Sequence, residues 1–165
     1  MPRRQTIERA RQDKRQGKSA STQAGEFVKE EIHHVREGKH GARSTKQAIA
    51  IGLSKARRAG VRLRPPKEGT TSERTLRSAK RNLAAGAHPH SVSRKRSRAI
   101  TGALKREGRG SASKGALAKQ ARSAASKRGA SARSAAARKA VRTKGAVGRS
   151  AAAKKGARTQ AKHRS

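Results

Sequence analysis

Large apolar side chains concentrate in residues 25–61, and their spacing predicts two helices there. The first helix carries a stripe at i, i+4 and i+7, formed by Val28, Ile32 and Val35. Thr22 is a candidate N-cap for it, and Gly38 is a typical residue just beyond a helix end. We therefore predict a helix over about 23–37.

The second helix begins at a capping box, in which Ser44 and Gln47 can each satisfy a free backbone N–H group. One stripe of apolar and small side chains follows, and Gly60 ends the helix. The stripe consists of Ala48, Ile49, Gly52, Leu53, Ala56 and Ala59. Two such stripes joined by a short loop predict a helical hairpin over 22–62. Ile51 lies outside the stripe, so we expect it to be exposed unless a partner covers it.

The rest of the chain divides by composition and by turn residues. A diproline stiffens a linker, and a capping box from Thr70 to Glu73 opens a region of short amphipathic helices that His88-Pro89-His90 interrupts. Further on, Arg-Ser-Ala-Ala recurs three times at unequal intervals, which is an irregular array and not a solenoid. The predicted order is a polar arm at 1–21, the hairpin at 22–62, a linker at 63–70, short helices at 71–110 and a low-complexity basic tail at 111–165.

Composition limits how much of this chain can pack. Leu, Ile, Val and Phe together make 18 of the 165 residues, and the formal net charge is +36. Few large apolar residues and a high charge are typical of disordered chains, because little surface can be buried to offset chain entropy. The predicted fold class is mostly α: a small helical hairpin, short amphipathic helices and a long disordered basic tail.

Several classes of protein are disfavoured by what the sequence lacks. It has no cysteine, which excludes disulfides and thiolate metal sites, and its single aromatic residue, Phe27, disfavours base-stacking folds. No apolar run approaches the length of a membrane span, and the N-terminal residues lack the apolar segment of a secretory signal. We therefore expect a cytoplasmic protein, in the nucleoid if the source is a bacterium, with no membrane contact.

Neither catalysis nor metal binding is predicted from the polar residues of the hairpin. His33 and His34 are adjacent, so their side chains diverge on a helix, and with His40 we expect them to be solvated or to face phosphate. Glu30 and Glu31 diverge in the same way, and no nucleophile or phosphate-binding loop accompanies them. We predict no enzyme activity, no catalytic residue, no metal site and no cofactor.

Positive charge is distributed unevenly along the chain. Residues 74–165 carry 27 basic side chains and one acidic side chain, whereas residues 1–73 carry 18 and 8. An excess of this size favours a polyanionic partner, because each neutralised phosphate releases counterions. The residues that we expect to contact nucleic acid are Lys39, His40, Arg43, Lys46, Arg57, Arg58, Arg94, Lys95, Arg96, Arg122, Lys127, Arg128, Arg133, Arg138, Lys139, Arg149, Lys154 and Lys155.

The hairpin is expected to orient the protein on DNA. Its second helix should present Lys46, Arg57 and Arg58 together, on the side away from the apolar stripe. A helix-turn-helix interpretation, with Gln47 as a further base-contacting residue, stays open. The first helix should repel DNA through an acidic face that pairs with the basic arms when DNA is absent, and this face consists of Glu26, Glu30 and Glu37.

Residues 37–60 resemble a family of small basic bacterial proteins that is classed as a domain of unknown function. The shared features are the triplet Lys39-His40-Gly41 and, after a short polar gap, the run at 46–53. This run differs from the family's KQAIAIAL pattern in having Gly52 in place of alanine. The resemblance implies a small helical module with DNA-binding and no catalytic role. The tail is similar in composition to the Ala/Lys/Arg-rich tails of bacterial linker-histone-like proteins.

The sequence as a whole predicts a histone-like, nucleoid-associated protein that binds DNA largely without regard to its sequence. Lys and Arg contacts to phosphates would supply the affinity. Two alternatives stay open. One is an RNA- or ribosome-associated basic protein. The other is an interaction module whose hairpin forms a homodimer through Ile51, which leaves DNA binding to the tail.

Overall fold

The computed structural model describes residues 2–88 and 93–162, and this part of the chain is helical, with no strand. The prediction of a mostly α protein is confirmed. Pro89 and His90, of the predicted chain break, lie outside the described residues. The chain divides into two compact units, 1–120 and 121–165. Its helices are α1 (Arg4–Arg15), α2 (Ala20–Arg36), α3 (Thr45–Arg58), α4 (Glu73–Ala87), α5 (Arg94–Lys105), α6 (Lys114–Ser126) and α7 (Ala130–Lys162), with a 3₁₀ turn at Gly110–Ala112.

Helices α2 and α3 pack against each other as an antiparallel hairpin. At one end Val35 shares a buried cluster with Ala48, and at the other Ala24 shares one with Ala56. Between these clusters the two backbones come close together: a Cβ added to Gly52 would lie 2.7 Å from the Cα of Val28. Small side chains on α3 thus allow the approach that the sequence predicts.

The helix caps agree in part with the predicted ones. Ser44 caps α3, and its Oγ accepts a hydrogen bond from the Gln47 amide at 3.2 Å. The start of α2 was predicted too late, because Ser19, and not Thr22, is its N-cap. The cap of α4 is also shifted, from the predicted Thr70 to Ser72. In both cases a nearby serine offers the same acceptor oxygen, and packing of the helix decides between the candidates.

Residues 4–15, predicted to belong to a solvated polar arm, instead form α1, which packs on α2. The buried side chains of α1 are Thr6, Ala10 and Asp13, spaced at i, i+4 and i+7, and Ile7 packs against the cluster around Phe27. The sequence prediction was wrong here because such small or polar side chains give no strong apolar stripe. They nevertheless fit a close contact between two helices.

Helix α4 packs on α3. Its buried residues are Leu76, Ala79 and Asn82, and at its C-terminal end Gly86 lies against the Arg57 carbonyl, leaving no room for a Cβ. Helix α5 differs, because none of its residues is buried and Ile100 is 61% exposed.

The prediction of a disordered tail from residue 111 is not supported. Ala112 is fully buried in the α2–α3 cluster, and Leu117, on α6, packs against the same cluster. In the second unit, α7 runs for 33 residues, of which twelve are Ala, with a non-helical Gly145 (φ 64°) inside it. Alanine has the highest helix propensity, so such a segment can be helical before phosphates neutralise its charge.

Candidate functional site

Most of the acidic side chains are held in ion pairs. Eight of the nine carboxylates lie within 4 Å of a Lys or Arg side chain. The ninth, Glu30, accepts a hydrogen bond from the Arg3 amide at 2.8 Å and lies 3.5 Å from His34 Nε2. Because the carboxylates are paired within the protein, little negative charge remains to repel a polyanion.

The predicted acidic face of α2 pairs with the N-terminal segment. Glu26 contacts Arg9 on α1 at 3.1 Å, and Glu37 contacts Arg3 at 3.4 Å and Lys39 at 2.7 Å. The hydrogen bond from Lys39 lowers the pKa of the Glu37 carboxyl. This side of the hairpin is therefore covered by α1 and locally neutralised.

Helix α4 carries a basic stripe on its exposed side that the sequence analysis missed. Arg74, Arg77 and Arg81 recur at i, i+3 and i+7, and with Lys80 they line a shallow depression on the surface. Arg77 lies 3.6 Å from Glu73, and Lys80 lies 3.4 Å from Glu68. The spacing of these four cations in the sequence is the signal that would have revealed the stripe. We call the set Arg74, Arg77, Lys80 and Arg81 the α4 stripe.

The sequence predicts that Lys46, Arg57 and Arg58 face outward together, but α4 covers part of this face of α3. Lys46 and Arg58 are exposed, although Arg58 Nε also donates to Asn82 Oδ1 of α4 at 2.7 Å. Arg57, by contrast, is only 6% exposed. Its guanidinium donates to the carbonyls of Leu63 and Arg64 at 3.2 and 3.4 Å, and burial lowers its pKa. Arg57 therefore holds the chain after α3 in place, and its burial speaks against the predicted contact with nucleic acid.

Two further observations weaken the helix-turn-helix and dimer interpretations. The side-chain oxygen of Gln47 accepts a hydrogen bond from the Arg43 amide at 2.7 Å, so it serves the N-terminus of α3. Ile51 is half-buried and not exposed. Of the α3 side chains that could contact bases, only Lys46 and Arg58, near the two ends of the helix, are exposed. Ile51, which suggested a homodimer, is partly covered by its own chain.

The sequence predicts that His33, His34 and His40 are solvated or face phosphate, but two of them are largely buried. His33 is exposed, but the side chains of His34 and His40 are only 11% and 13% exposed, with ring centroids 6.1 Å apart. Both lie beside the fully buried Glu31, and His40 Nε2 lies 3.3 Å from Glu31 Oε1. His40 therefore faces the interior, and this position speaks against the predicted contact with phosphate. The side chains of His33 and His34 do diverge, as the sequence predicts. The prediction did not consider that the loop after α2 brings His40 next to His34.

The electrostatic surroundings of these side chains are mixed. Lys55 Nζ contacts Glu31 Oε2 at 2.5 Å. Burial, with the positive charge of Lys55, lowers the pKa of His34, although Glu30 and Glu31 oppose this shift. The neutral form of His34 is thus favoured. We call the group Glu31, His34 and His40 the buried histidine cluster.

The other predicted contacts lie on the surface. Arg43 is largely exposed and lies 3.5 Å from Glu107, and Lys39 is exposed beside Glu37. The remaining residues are all exposed on α5 or in the region from α6 to α7: Arg94, Lys95, Arg96, Arg122, Lys127, Arg128, Arg133, Arg138, Lys139, Arg149, Lys154 and Lys155.

Residues 5–68 match a family of unknown function, DUF6496. The matched segment contains α1 except for Arg4, the hairpin and the buried histidine cluster, but neither the α4 stripe nor the second unit. No curated protein and no solved structure matches the chain. Among the described residues, no helix combines the length and the apolar character needed to cross a membrane.

Proposed function

We propose that this protein binds DNA largely without regard to base sequence, as a histone-like, nucleoid-associated protein. The observation that carries the proposal is the separation of charge. The carboxylates are paired, mainly around α1 and α2, whereas residues 74–165 carry 27 basic side chains and one acidic side chain. That one acidic residue, Glu107, itself lies beside Arg43.

Binding would arise from contacts to phosphates. Each phosphate neutralised by Lys or Arg releases condensed counterions, which favours association and makes it depend on salt. The α4 stripe offers three arginines along about 10 Å of one helix, enough to reach successive phosphates on a groove edge. Arginine also donates in a planar fork that fits phosphate oxygens.

Duplex DNA is favoured over single strands as the partner. Proteins that bind single strands stack bases on aromatic side chains, and the one aromatic residue of this chain, Phe27, is 1% exposed. Recognition through the backbone of a duplex needs no stacking platform. Structured RNA also presents a duplex backbone, so it is the partner against which DNA must be compared.

The experiment is a salt series of binding to a mixed-sequence DNA duplex, with two variants of equal charge. One variant replaces Arg74, Arg77 and Arg81 with Gln. The matched control replaces three exposed cations of α1, Arg4, Lys14 and Arg15, with Gln. We expect the α4 variant to reduce the slope of log K against log salt by up to about three units, and the α1 variant to reduce it much less.

Two results would contradict the proposal or the part that it gives to α4. Equal losses in both variants would mean that only net charge matters and that α4 forms no interface. Stronger binding to structured RNA than to DNA in competition at fixed salt would favour the RNA-associated alternative. Crosslinking in cells, with identification of the bound nucleic acid, then tests the nucleoid assignment.

A further inference from the structure

The buried histidine cluster combines two imidazoles with one carboxylate at the joint of the hairpin. Glu31 and His34 are three residues apart on α2, and His40 comes from the loop between α2 and α3. One ligand atom from each residue lies within 4.8 Å of the others. A helical Glu-x-x-His pair projecting into a helix bundle is an arrangement that can hold metal ions.

One oxygen of this cluster lacks a partner. Glu31 is 0% exposed, and its Oε1 atom has no hydrogen-bond donor, whereas Oε2 is held by Lys55. An unsatisfied buried carboxylate oxygen is costly, so such an atom in a native protein points to a missing partner. The oxygen lies on the side of the two histidines.

The position of the proton on the His40 ring indicates what kind of partner Glu31 Oε1 lacks. His40 Nδ1 lies 3.0 Å from the Gly41 carbonyl, which can only accept, so Nδ1 carries the proton. In the neutral ring, Nε2 then presents a lone pair to the unpartnered oxygen 3.3 Å away. Two lone pairs at this distance repel unless a proton or a cation lies near them. A hydrogen bond from the second ring nitrogen to a carbonyl is the usual support of a metal-bound histidine.

We propose that Glu31, His34 and His40 bind a divalent transition-metal ion of the zinc class. Neutral imidazole nitrogens and a carboxylate oxygen are ligands that Zn²⁺ takes, at about 2.0–2.2 Å. The 3.3 Å between Glu31 Oε1 and His40 Nε2 already matches the roughly 3.4 Å between two ligand atoms of a tetrahedral zinc ion, whereas the His34 ligand atom, within 4.8 Å of the other two, would have to come closer. The proposal does not rest on DNA binding.

The negative charges of Glu31 and Glu30 near the cluster favour a bound cation. With Lys55 on Oε2, the Glu31 carboxylate would bridge an ammonium group and the metal ion. Glu30, whose Oε1 lies 3.5 Å from His34 Nε2 and whose Oε2 has no hydrogen-bond partner, adds a second negative charge. Lys39 and Lys55 oppose the metal ion, so we expect moderate affinity and not the tight binding of a four-ligand structural site.

The test uses the full chain, freed of metal by chelation and without nucleic acid, titrated with Zn²⁺. Histidine side-chain NMR follows all six histidines of the unaltered protein. We expect one ion per chain, with the ring signals of His34 and His40 shifted and that of His33 unchanged. The variants His34→Gln and His40→Gln should each weaken Zn²⁺ binding at least tenfold. His33→Gln, at the adjacent exposed position, is the matched control and should bind as the unaltered chain does.

The proposal is overturned by any of three results. The first is no binding of Zn²⁺ up to millimolar concentration. The second is a loss of affinity in His33→Gln as large as in the other variants. The third is a His40 ring that stays protonated above neutral pH and whose NMR signals do not shift when Zn²⁺ is added. The cluster would then be an ion-pair network only. NMR of the unaltered chain decides the question if a variant fails to fold.

Discussion

Gly41 lies directly against the backbone of Glu107, so close that a Cβ at Gly41 would overlap the Glu107 carbonyl. The Gly41 amide donates to the Leu104 carbonyl at 2.8 Å, and the Ala42 amide donates to the Gly108 carbonyl at 3.1 Å. The joint of the hairpin is thus covered by the end of α5, more than 60 residues further along the chain. This contact gives a physical reason for the glycine in the Lys-His-Gly triplet.

The first prediction concerns this contact. Gly41→Ala should lower the free energy of unfolding by about 1–3 kcal/mol, because the added methyl group forces two backbones apart. Gly25→Ala is the control, since nothing lies within 4 Å of a Cβ there and the site is inside α2. That variant should gain about 0.5–1 kcal/mol. Urea denaturation followed by circular dichroism measures both stabilities. Equal stability of the two variants would show that the close contact of Gly41 with Glu107 does not exist in the folded protein.

The second prediction concerns the buried carboxylate of Glu31. Lys55→Met should cost about 3 kcal/mol of unfolding free energy, because it leaves a fully buried carboxylate without its closest cation. Lys29→Met, on the exposed side of α2, should change stability by less than about 0.5 kcal/mol. Adding Glu31→Leu to the Lys55 variant should restore most of the loss, because a well-packed apolar side chain can replace a buried ion pair.

Denaturation of the single and double variants in the presence of a chelator checks this prediction. A Lys55 variant as stable as the Lys29 variant would show that Glu31 is solvated, or is neutral, in the folded protein. Chelation keeps any metal ion from masking the effect, so the result is independent of the buried histidine cluster's affinity for Zn²⁺.

The hairpin was predictable from sequence because its signals are local. Val28 and Val35 repeat at helical spacing, and the Ser44 cap and the glycine at 60 mark the bounds of α3 within a residue or two. Helix α1 lacks such a signal, since its buried face is made of Thr, Ala and Asp and its value lies in the close fit to α2.

The buried histidine cluster could not be predicted, for a different reason. Its third member, His40, is positioned by a loop that depends on the contact of Gly41 with residues 104–108. Contacts between residues so far apart in sequence leave no local pattern. The burial of Arg57 is likewise set by α4 and by the carbonyls at 63 and 64, although a helical wheel places it outward.

The third prediction separates the two roles of the chain after residue 110. Deleting 127–165 removes 13 basic residues and no acidic one, and leaves α6 whole. The slope of log K against log salt should flatten by several units, at about 0.9 per lost phosphate contact. The stability of the remaining protein should not change.

A longer deletion, of 111–165, is the comparison. It also removes the buried Ala112, the packed Leu117 and two hydrogen bonds to backbone carbonyls, from Arg36 to Ala112 and from Thr45 to Ser111. Unfolding free energy should then fall by about 2–3 kcal/mol. If both truncated proteins unfold at the same urea concentration, residues 111–117 do not belong to the folded core.

The fourth prediction compares two cations of α3 that a helical wheel treats alike. Arg57→Gln should cost about 1–3 kcal/mol of stability, because the buried carbonyls of Leu63 and Arg64 lose their donors. Lys46→Gln, at an exposed position near the N-terminus of α3, should leave stability within about 0.5 kcal/mol. In DNA binding the order should reverse. Lys46→Gln should flatten the salt dependence by up to about 0.9 units, whereas Arg57→Gln should leave the slope unchanged under conditions where both variants are fully folded. A flatter slope in Arg57→Gln would mean that this guanidinium reaches phosphate, which requires α4 to move off α3 when DNA binds.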